Sequence, residues 1–205
     1  MDFAFSAEQD DFRQAVRATL DAEAPPTYVR AMMEDPVGVT PELWQTMAEL
    51  GWLGVLVPES AGGLGLGLVD LVVLQEELGA LPFPGPFLSS AVLATLAAVR
   101  LGAEGLLADL TSGRRRGTVA LEEAGHGAPL ATVHARAVTG ADGQAVLEGH
   151  KPLVLDGASA DWALVVARDD TGLASFLLDA PAGEPVPALD VTRKVARLPL
   201  DGRRA

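Results

Sequence analysis

Four glycines in the first half of the chain stand where a phosphate-binding loop would be expected. They lie within Gly62–Gly67, immediately before an apolar run that predicts a helix. A dinucleotide-binding loop has the pattern G-x-G-x-x-G, but its third glycine would fall on Leu68 or on Asp70. A Walker loop requires a following Gly-Lys-Ser/Thr, which is absent from the sequence. The glycines must therefore have another use.

Two pairs of adjacent glutamates are candidates for general acid or base chemistry. Glu76 and Glu77 fall on a predicted helix, and Glu122 and Glu123 fall at the end of a predicted strand. A carboxylate acts as a base when it is desolvated and placed against the proton that it removes. Adjacent glutamates are more often solvated or structural, so we assign no catalytic residue.

Other reactive residue types are sparse. Arg114–Arg116 is the one basic cluster and could attract a ligand phosphate, but a charge run at a domain junction is usually a solvated loop. His126, His134 and His150 show no ligand spacing, and we expect no metal site. Cysteine is absent, which excludes disulfides and thiolate chemistry and favours a reducing compartment.

Composition limits the classes of function. The chain has 205 residues, 49% of them hydrophobic, and can bury a substantial core. Its formal charge of -13 argues against nonspecific nucleic-acid binding, which needs clustered cations. The longest apolar run, Ala91 to Val99, is far shorter than the roughly 20 residues that cross a bilayer, and no basic signal region opens the sequence. We expect a cytoplasmic protein without a membrane or nucleic-acid partner.

Helix signals fill the part of the chain that contains the glycines and the first glutamate pair. Ser6 and Gln9 form a capping-box pattern, and Phe12, Val16 and Leu20 follow on one face. A second helix has Thr40 as its N-cap, Pro41 at its first position and Gly51 as its stop. Three more predicted helices span Leu68–Leu78, Ser90–Leu101 and Ala103–Thr111.

After Gly113 the pattern changes to short β-branched and apolar runs separated by turn residues. The predicted strands are Thr118–Glu122, Thr132–Thr139, Ala145–Leu147, Leu153–Leu155, Ala163–Ala167, Ala174–Leu178 and Val191–Leu200. We therefore predict an α+β protein with two domains, a helical bundle over residues 1–113 and a small antiparallel β-barrel or sandwich over residues 114–205.

Several stretches resemble one protein family. PELWQTMAELGWLGVLVPESAGGLGLGLVDLVVLQEELGALPFPGPF (Pro41 to Phe87) resembles the N-terminal helical domain of the flavin-dependent acyl-CoA dehydrogenases, with its P-E-x-W…L-G-W…P-E-x-x-G-G-x-G…E-E-L-G pattern. DLTSGRRRGTVALEE (Asp109 to Glu123) looks like that family's first barrel strand, and LEGHKPLVLDGASADWALVVAR (Leu147 to Arg168) looks like its G-x-K-x-aromatic-V-T-N segment. LDVTRKVARLPLDG (Leu189 to Gly202) resembles a later strand. By this resemblance, the glycines of Gly62–Gly67 serve tight turns and close backbone approach.

The resemblance implies an FAD cofactor and an acyl-CoA substrate. In the family, a carboxylate base removes the α-proton of the thioester while the β-hydride passes to the flavin. That base usually sits in a C-terminal helical domain, which also contacts the flavin across a subunit interface. The chain stops at Ala205, so we expect the β domain to be incomplete at its C-terminal end and the base to lie on a missing region or a partner chain.

The resemblance also implies which residues bind the cofactor. The matching positions are Leu121, Glu122, Glu123, Leu153 and Leu155. Where the family shows Thr-Glu-Pro…Gly-Ser-Asp this chain has Glu-Glu-Ala, and where the family has an aromatic residue and a hydroxyl this chain has two leucines. Apolar contact with a flavin is retained, the side-chain hydrogen bonds are lost, and backbone N–H and C=O groups could line the ring.

Two hypotheses follow. The first is an acyl-CoA dehydrogenase-like flavoprotein of lipid metabolism that catalyses FAD-dependent α,β-dehydrogenation of an acyl-CoA as part of a longer chain or a homo- or hetero-oligomer. The alternative is a non-catalytic subunit or binding module that assembles with a competent acyl-CoA dehydrogenase chain. The missing hydroxyl and aromatic positions favour the alternative somewhat.

Overall fold

Helices occupy the first half of the chain and strands the second. The computed structural model describes residues 4–123, 130, 133–140 and 143–205. The helices are α1 (Ala7–Glu23), α2 (Pro26–Glu34), α3 (Pro41–Glu49), α4 (Leu68–Ala80), a π-helical segment (Phe87–Ala94) that continues as α5 (Thr95–Arg100), and α6 (Glu104–Thr111). Two single 3₁₀ turns lie at Trp52–Gly54 and Glu59–Ala61. The predicted order, helical half before strand half, is confirmed.

The predicted caps start two of these helices. The Ser6 Oγ atom accepts from the Gln9 N–H at 3.2 Å while the Gln9 side chain accepts from the Ser6 N–H at 3.0 Å. Thr40 caps α3 through the Leu43 N–H at 3.3 Å. Val16 and Leu20 are buried on the inner face of α1, as the periodicity predicts.

One helix was not predicted, and two others have boundaries that differ from the sequence prediction. The unpredicted α2 begins at Pro26, because a proline is well tolerated at the first position of a helix even though it breaks a helix interior. Helix α4 continues through Gly79 to Ala80, since Gly79 does not adopt the left-handed conformation of a helix stop. The helix predicted from Ser90 begins earlier, with the π-helical turns from Phe87.

The strands form two sheets. They are β1 (Gly117–Ala120), β2 (Arg136–Thr139), β3 (Ala145–Glu148), β4 (His150–Leu155), β5 (Trp162–Asp169), β6 (Gly172–Asp179), β7 (Glu184–Val186), β8 (Val195–Pro199) and β9 (Arg203–Arg204). The first sheet has the order β1-β5-β2-β3-β9, with β6 also paired to β5, and the second has the order β4-β8-β7. The predicted α+β class is confirmed.

Pairing in the sheets is mostly antiparallel. The exceptions are β1 and β2, which both pair with β5 in parallel. Strand β8 begins at Val195 rather than at Val191, because the Asp190 carboxylate binds the Thr192 N–H at 2.9 Å and forms a turn. Strand β7 was not predicted and lies between the predicted strands Ala174–Leu178 and Val191–Leu200.

The two halves pack directly on each other. Trp162 of β5 is buried among helix residues that include Ala94, Ala98 and Leu107. The Trp44 Nε1 atom donates to the Gly113 carbonyl oxygen at 3.1 Å. The division into domains at residue 113 stays a prediction. In the part of the chain that the structure describes, no helix combines the length and apolar character needed to cross a bilayer.

Candidate functional site

An apolar groove of about 540 Å³ opens where α5 meets the two sheets. Leu93 and Ala97 line its helical side. Its sheet side is lined by Val119, Leu121, Glu122, Leu153, Leu155 and Val195. A flat apolar ring or an acyl chain is the class of ligand that such a lining can bury, while the side chains other than Glu122 offer no hydrogen-bonding group.

Four of the five residues predicted to bind the cofactor meet in this groove. Leu121 and Glu122 follow β1, while Leu153 and Leu155 belong to β4. Glu123 does not line the groove and instead borders a smaller cavity beside His134 and His150. The chain therefore brings two separate sequence segments to one place, as the resemblance implies, with Glu123 directed elsewhere.

A β-bulge shapes the β4 wall of the groove. The register of β4 against β8 shifts between Lys151 and Val154. Leu153 lies within the shift, lines the groove and is 54% exposed. Bulges re-aim side chains and are frequent beside functional sites. The irregularity thus accounts for a large apolar side chain presented to solvent in the groove.

Glu123 forms a buried ion pair behind the groove. Its Oε1 atom lies 2.6 Å from the Nζ atom of Lys151, which is fully buried. The same carboxylate accepts from the backbone N–H groups of Ala135 at 2.9 Å and of His134 at 2.5 Å. Burial opposes ionisation of Glu123, but these hydrogen bonds outweigh it, so its pKa lies below the usual value. Burial also lowers the pKa of the Lys151 ammonium, and Glu123 offsets part of this effect.

Two further buried polar contacts fix the end of β4. The Thr118 Oγ1 atom donates to the Leu155 carbonyl oxygen at 2.6 Å. The next residue, Asp156, accepts from the Ser89 hydroxyl at 2.6 Å and so connects β4 to the π-helical segment. Burial raises the pKa of the Asp156 carboxyl, and the Ser89 hydrogen bond offsets part of this.

The glutamate pairs have structural partners or lie in solvent. Glu77 is buried and binds Arg17 at 2.8 Å and Arg13 at 3.1 Å, which connects α4 to α1. The Arg17 hydrogen bond is the main cause that holds the pKa of Glu77 below its usual value. Glu76 is half-exposed and pairs with Arg13, and Glu122 is exposed at the groove. None of these carboxylates is a desolvated base facing the groove.

The basic cluster is paired within the chain. Arg114 binds Asp109 at 2.7 Å, and Arg115 forms an ion pair with Asp179. The third arginine, Arg116, lies 3.7 Å from Asp161. Among the described residues, no group of three His, Asp or Glu side chains has a geometry that could hold a metal ion. His126 lies outside the described residues.

A larger cavity, of about 710 Å³, lies between the end of α2 and the loops around β4 and β8. It is lined by none of the residues predicted to bind the cofactor. Its charged lining is nearly balanced, with carboxylates at Glu34, Asp35, Asp156 and Asp161 and cations at Arg116, Arg193 and Lys194. Because the residues predicted to bind the cofactor meet in the apolar groove and not in this cavity, the groove is the better candidate site.

Sequence reasoning missed the helical side of the groove. Leu93 and Ala97 lie on a helix that is apolar nearly all round, which predicts burial on every face, yet Leu93 is 40% exposed. Val119 and Val195 were also missed, because a valine in a strand carries no local sign of ligand contact. The buried position of Lys151 had one available signal, since the lysine directly precedes the apolar run of residues 152–155.

Comparisons with known proteins agree on one family. Residues 6–108 match the family model for the acyl-CoA dehydrogenase N-terminal domain. The chain is 32% identical to acyl-CoA dehydrogenase IpdE2 of Mycolicibacterium smegmatis over 93% of its own length and 51% of that protein, and 34% identical to acyl-CoA dehydrogenase FadE27 of Mycobacterium tuberculosis over 100% and 55%.

Solved structures extend the match to the strand half. The chain superposes on a steroid acyl-CoA dehydrogenase, Tcur3481-Tcur3483, with a TM-score of 0.85 and 33% identity, covering 97% of this chain and 56% of that one. The chain thus spans about half the length of the relatives it matches. Because the family model covers half of the sequence and the fold agrees across both halves, the chain belongs to the acyl-CoA dehydrogenase family.

Proposed function

We propose that this chain supplies two walls of the active site of an FAD-dependent acyl-CoA dehydrogenase. The observation that carries the proposal is the meeting of Leu121, Glu122, Leu153 and Leu155 in one apolar groove opposite Leu93. FAD, when bound, supplies the hydride acceptor for oxidation of the acyl thioester. The leucines would bury the flat faces of the ring and keep water out of the groove.

Among the described residues, the groove lining offers no suitable catalytic base. Glu122 is the one carboxylate among the described lining residues, and it is exposed, whereas a base must be desolvated and held against its proton. We infer that a carboxylate from another region or a partner chain completes the site. The acyl-CoA substrate and the homo- or hetero-oligomeric state belong to the same proposal.

A non-catalytic subunit is the second candidate. It is favoured by the loss of hydroxyl and aromatic side chains at Leu153, Leu155 and Glu122, since a chain that only supports a partner's site has no need of them. Among the similar solved structures is a complex of two differently named proteins, ChsE4-ChsE5 of Mycobacterium tuberculosis, at 31% identity and a TM-score of 0.84.

Flavin titration tests the proposal. The purified 205-residue chain, alone and mixed with a neighbouring acyl-CoA dehydrogenase-like protein, should develop protein-bound flavin absorption, and acyl-CoA should bleach it anaerobically in the mixture. Ala97→Phe projects a ring into the groove and should weaken flavin binding, while Leu101→Phe, on the exposed end of the same helix, should not. Flavin binding by Ala97→Phe at the wild-type level would place the cofactor elsewhere. Bound flavin without bleaching would favour the non-catalytic subunit.

A further inference from the structure

Two buried side chains connect the β1 and β4 segments in opposite directions. Thr118 of β1 donates to the carbonyl oxygen of Leu155 on β4, at 2.6 Å. Lys151 of β4 donates to the carbonyl oxygen of Leu121, just after β1, at 3.1 Å. Both donors are almost completely buried, at 1% and 0% exposure. Each wall of the groove therefore donates one hydrogen bond to a backbone carbonyl of the other wall.

We propose that Thr118 and Lys151 are positioning residues that set the spacing and alignment of the two backbone segments that hold the flavin. The inference rests on the proposed function. Neither Thr118 nor Lys151 is among the residues that line the groove. It assigns the pair a role in ligand recognition through Leu121 and Leu155, not through direct contact.

Backbone pairing between strands does not align the two groove walls, so side chains must do so. Strand β1 belongs to the first sheet and β4 to the second, so the two walls are not neighbours in one backbone ladder. Strand β4 also carries its bulge between Lys151 and Val154, and Leu121 lies beyond the end of β1 at Ala120. At these positions, ladder hydrogen bonds constrain the groove walls less than they constrain a regular strand.

The lost hydroxyls make backbone alignment more important here. The side chains of Leu121, Leu153 and Leu155 cannot hydrogen-bond a flavin, so the polar edge of the ring depends on backbone N–H and C=O groups. Glu123 anchors the lysine at 2.6 Å and is itself held by the N–H groups of His134 and Ala135. The position of Leu121 is thereby tied to the segment that enters β2.

Amide hydrogen exchange on the full 205-residue chain tests the proposal without a ligand. Thr118→Val removes the hydroxyl but keeps the shape, and Thr118→Ser restores the hydroxyl. We expect exchange at residues 121–123 and 153–155 to become roughly fivefold faster in the valine variant, as loss of one neutral hydrogen bond predicts, and to return close to wild type in the serine variant. The β5–β6 hairpin serves as the internal reference and should not change.

FAD titration of the same variants supplies the second measurement. The dissociation constant should rise roughly fivefold in Thr118→Val and stay near wild type in Thr118→Ser. Unchanged exchange at the groove walls in the valine variant overturns the proposal, and so does faster exchange with unchanged FAD affinity. If the wild-type chain binds no FAD, alone or with its neighbour, the proposed function fails, whereas the exchange data still decide whether Thr118 aligns the walls.

The double variant Lys151→Met/Glu123→Gln tests the role of Lys151 independently of Thr118. It removes both members of the ion pair together and so avoids leaving one buried charge unpaired. Exchange at residues 121–123 should rise by at least the factor seen for Thr118→Val. Wild-type exchange there would overturn the role of Lys151.

Discussion

Gly63 lies so close to Val57 that a Cβ atom on the glycine would stand 2.1 Å from the Val57 carbonyl oxygen. The same oxygen accepts from the Gly65 N–H at 2.8 Å, so the loop folds back onto the segment before it. Gly62 and Gly65 have φ angles of +84° and +61°, which side chains rarely tolerate. These contacts bear out the architectural interpretation of the glycines.

Gly63→Ala should destabilise the protein by at least about 2 kcal/mol, because the buried backbone must move to admit the methyl group. Gly79→Ala is the matched control, since nothing lies within 4 Å of its added Cβ atom and the residue is in helix α4. The control should raise the free energy of unfolding by about 0.5–1 kcal/mol. Urea denaturation measures both, and equal effects from the two substitutions would contradict the close approach.

Glu77→Gln should lower the free energy of unfolding by roughly 1–2 kcal/mol at neutral pH, because it weakens charged hydrogen bonds at a buried position. The pKa of Glu77 lies below its ordinary value of 4.5, chiefly through Arg17. The stability that ionised Glu77 contributes is therefore fully present above the ordinary pKa and is lost as the pH falls through the lowered pKa. The difference between variant and wild type should shrink in acid.

Glu76→Gln controls for removal of one charge at the adjacent position. Glu76 is 51% exposed, so its ion pair with Arg13 should contribute only about 0.5 kcal/mol. Urea denaturation at neutral and acidic pH separates the two variants. Equal losses would mean that burial does not distinguish the two glutamates.

Local signals in the sequence predicted local structure well. The cap at Ser6, the cap at Thr40 and the spacing of Val16 and Leu20 depend on residues within one or two helical turns, and the structure has all of them. The α+β order was predictable for the same reason, since a change from helical to alternating periodicity is visible in a short window.

The missed features depend on contacts between distant segments. Lys151 is paired in its buried position by Glu123 and the Leu121 carbonyl, which come from the distant segment after β1, and no local pattern encodes that meeting. The groove walls at residues 121–122 and 153–155 were found through resemblance to a family, not through physical reasoning on the sequence.

Asp156→Asn should stabilise the protein relative to wild type, and the gain should be larger at neutral pH than in acid. Burial holds the pKa of Asp156 above its ordinary value of 3.8, so the folded state loses stability as the pH rises from that value through the raised pKa. Asparagine removes this loss, can still accept from Ser89, and tolerates the φ angle of +52°. The gain over wild type should therefore be larger at pH 7 than at pH 4.

Thermal unfolding at the two pH values measures this gain. Asp170→Asn, at an exposed turn position, gives the background effect of removing one surface carboxylate. A gain from Asp156→Asn that is the same at both pH values would show that the buried carboxyl does not carry the pH dependence.

Leu155→Thr should tighten flavin binding by the chain, because it places a hydroxyl in a groove whose leucine and valine side chains cannot hydrogen-bond. One neutral hydrogen bond corresponds to a roughly fivefold lower dissociation constant for FAD. Leu155→Val is the matched control, since valine has the branched shape of threonine without its hydroxyl and suits the same strand position. Fluorescence titration with FAD separates the two variants. Tighter binding by the threonine variant alone would indicate that the polar edge of the flavin lies at Leu155. Equal affinities of the threonine and valine variants would mean that this edge does not lie against β4.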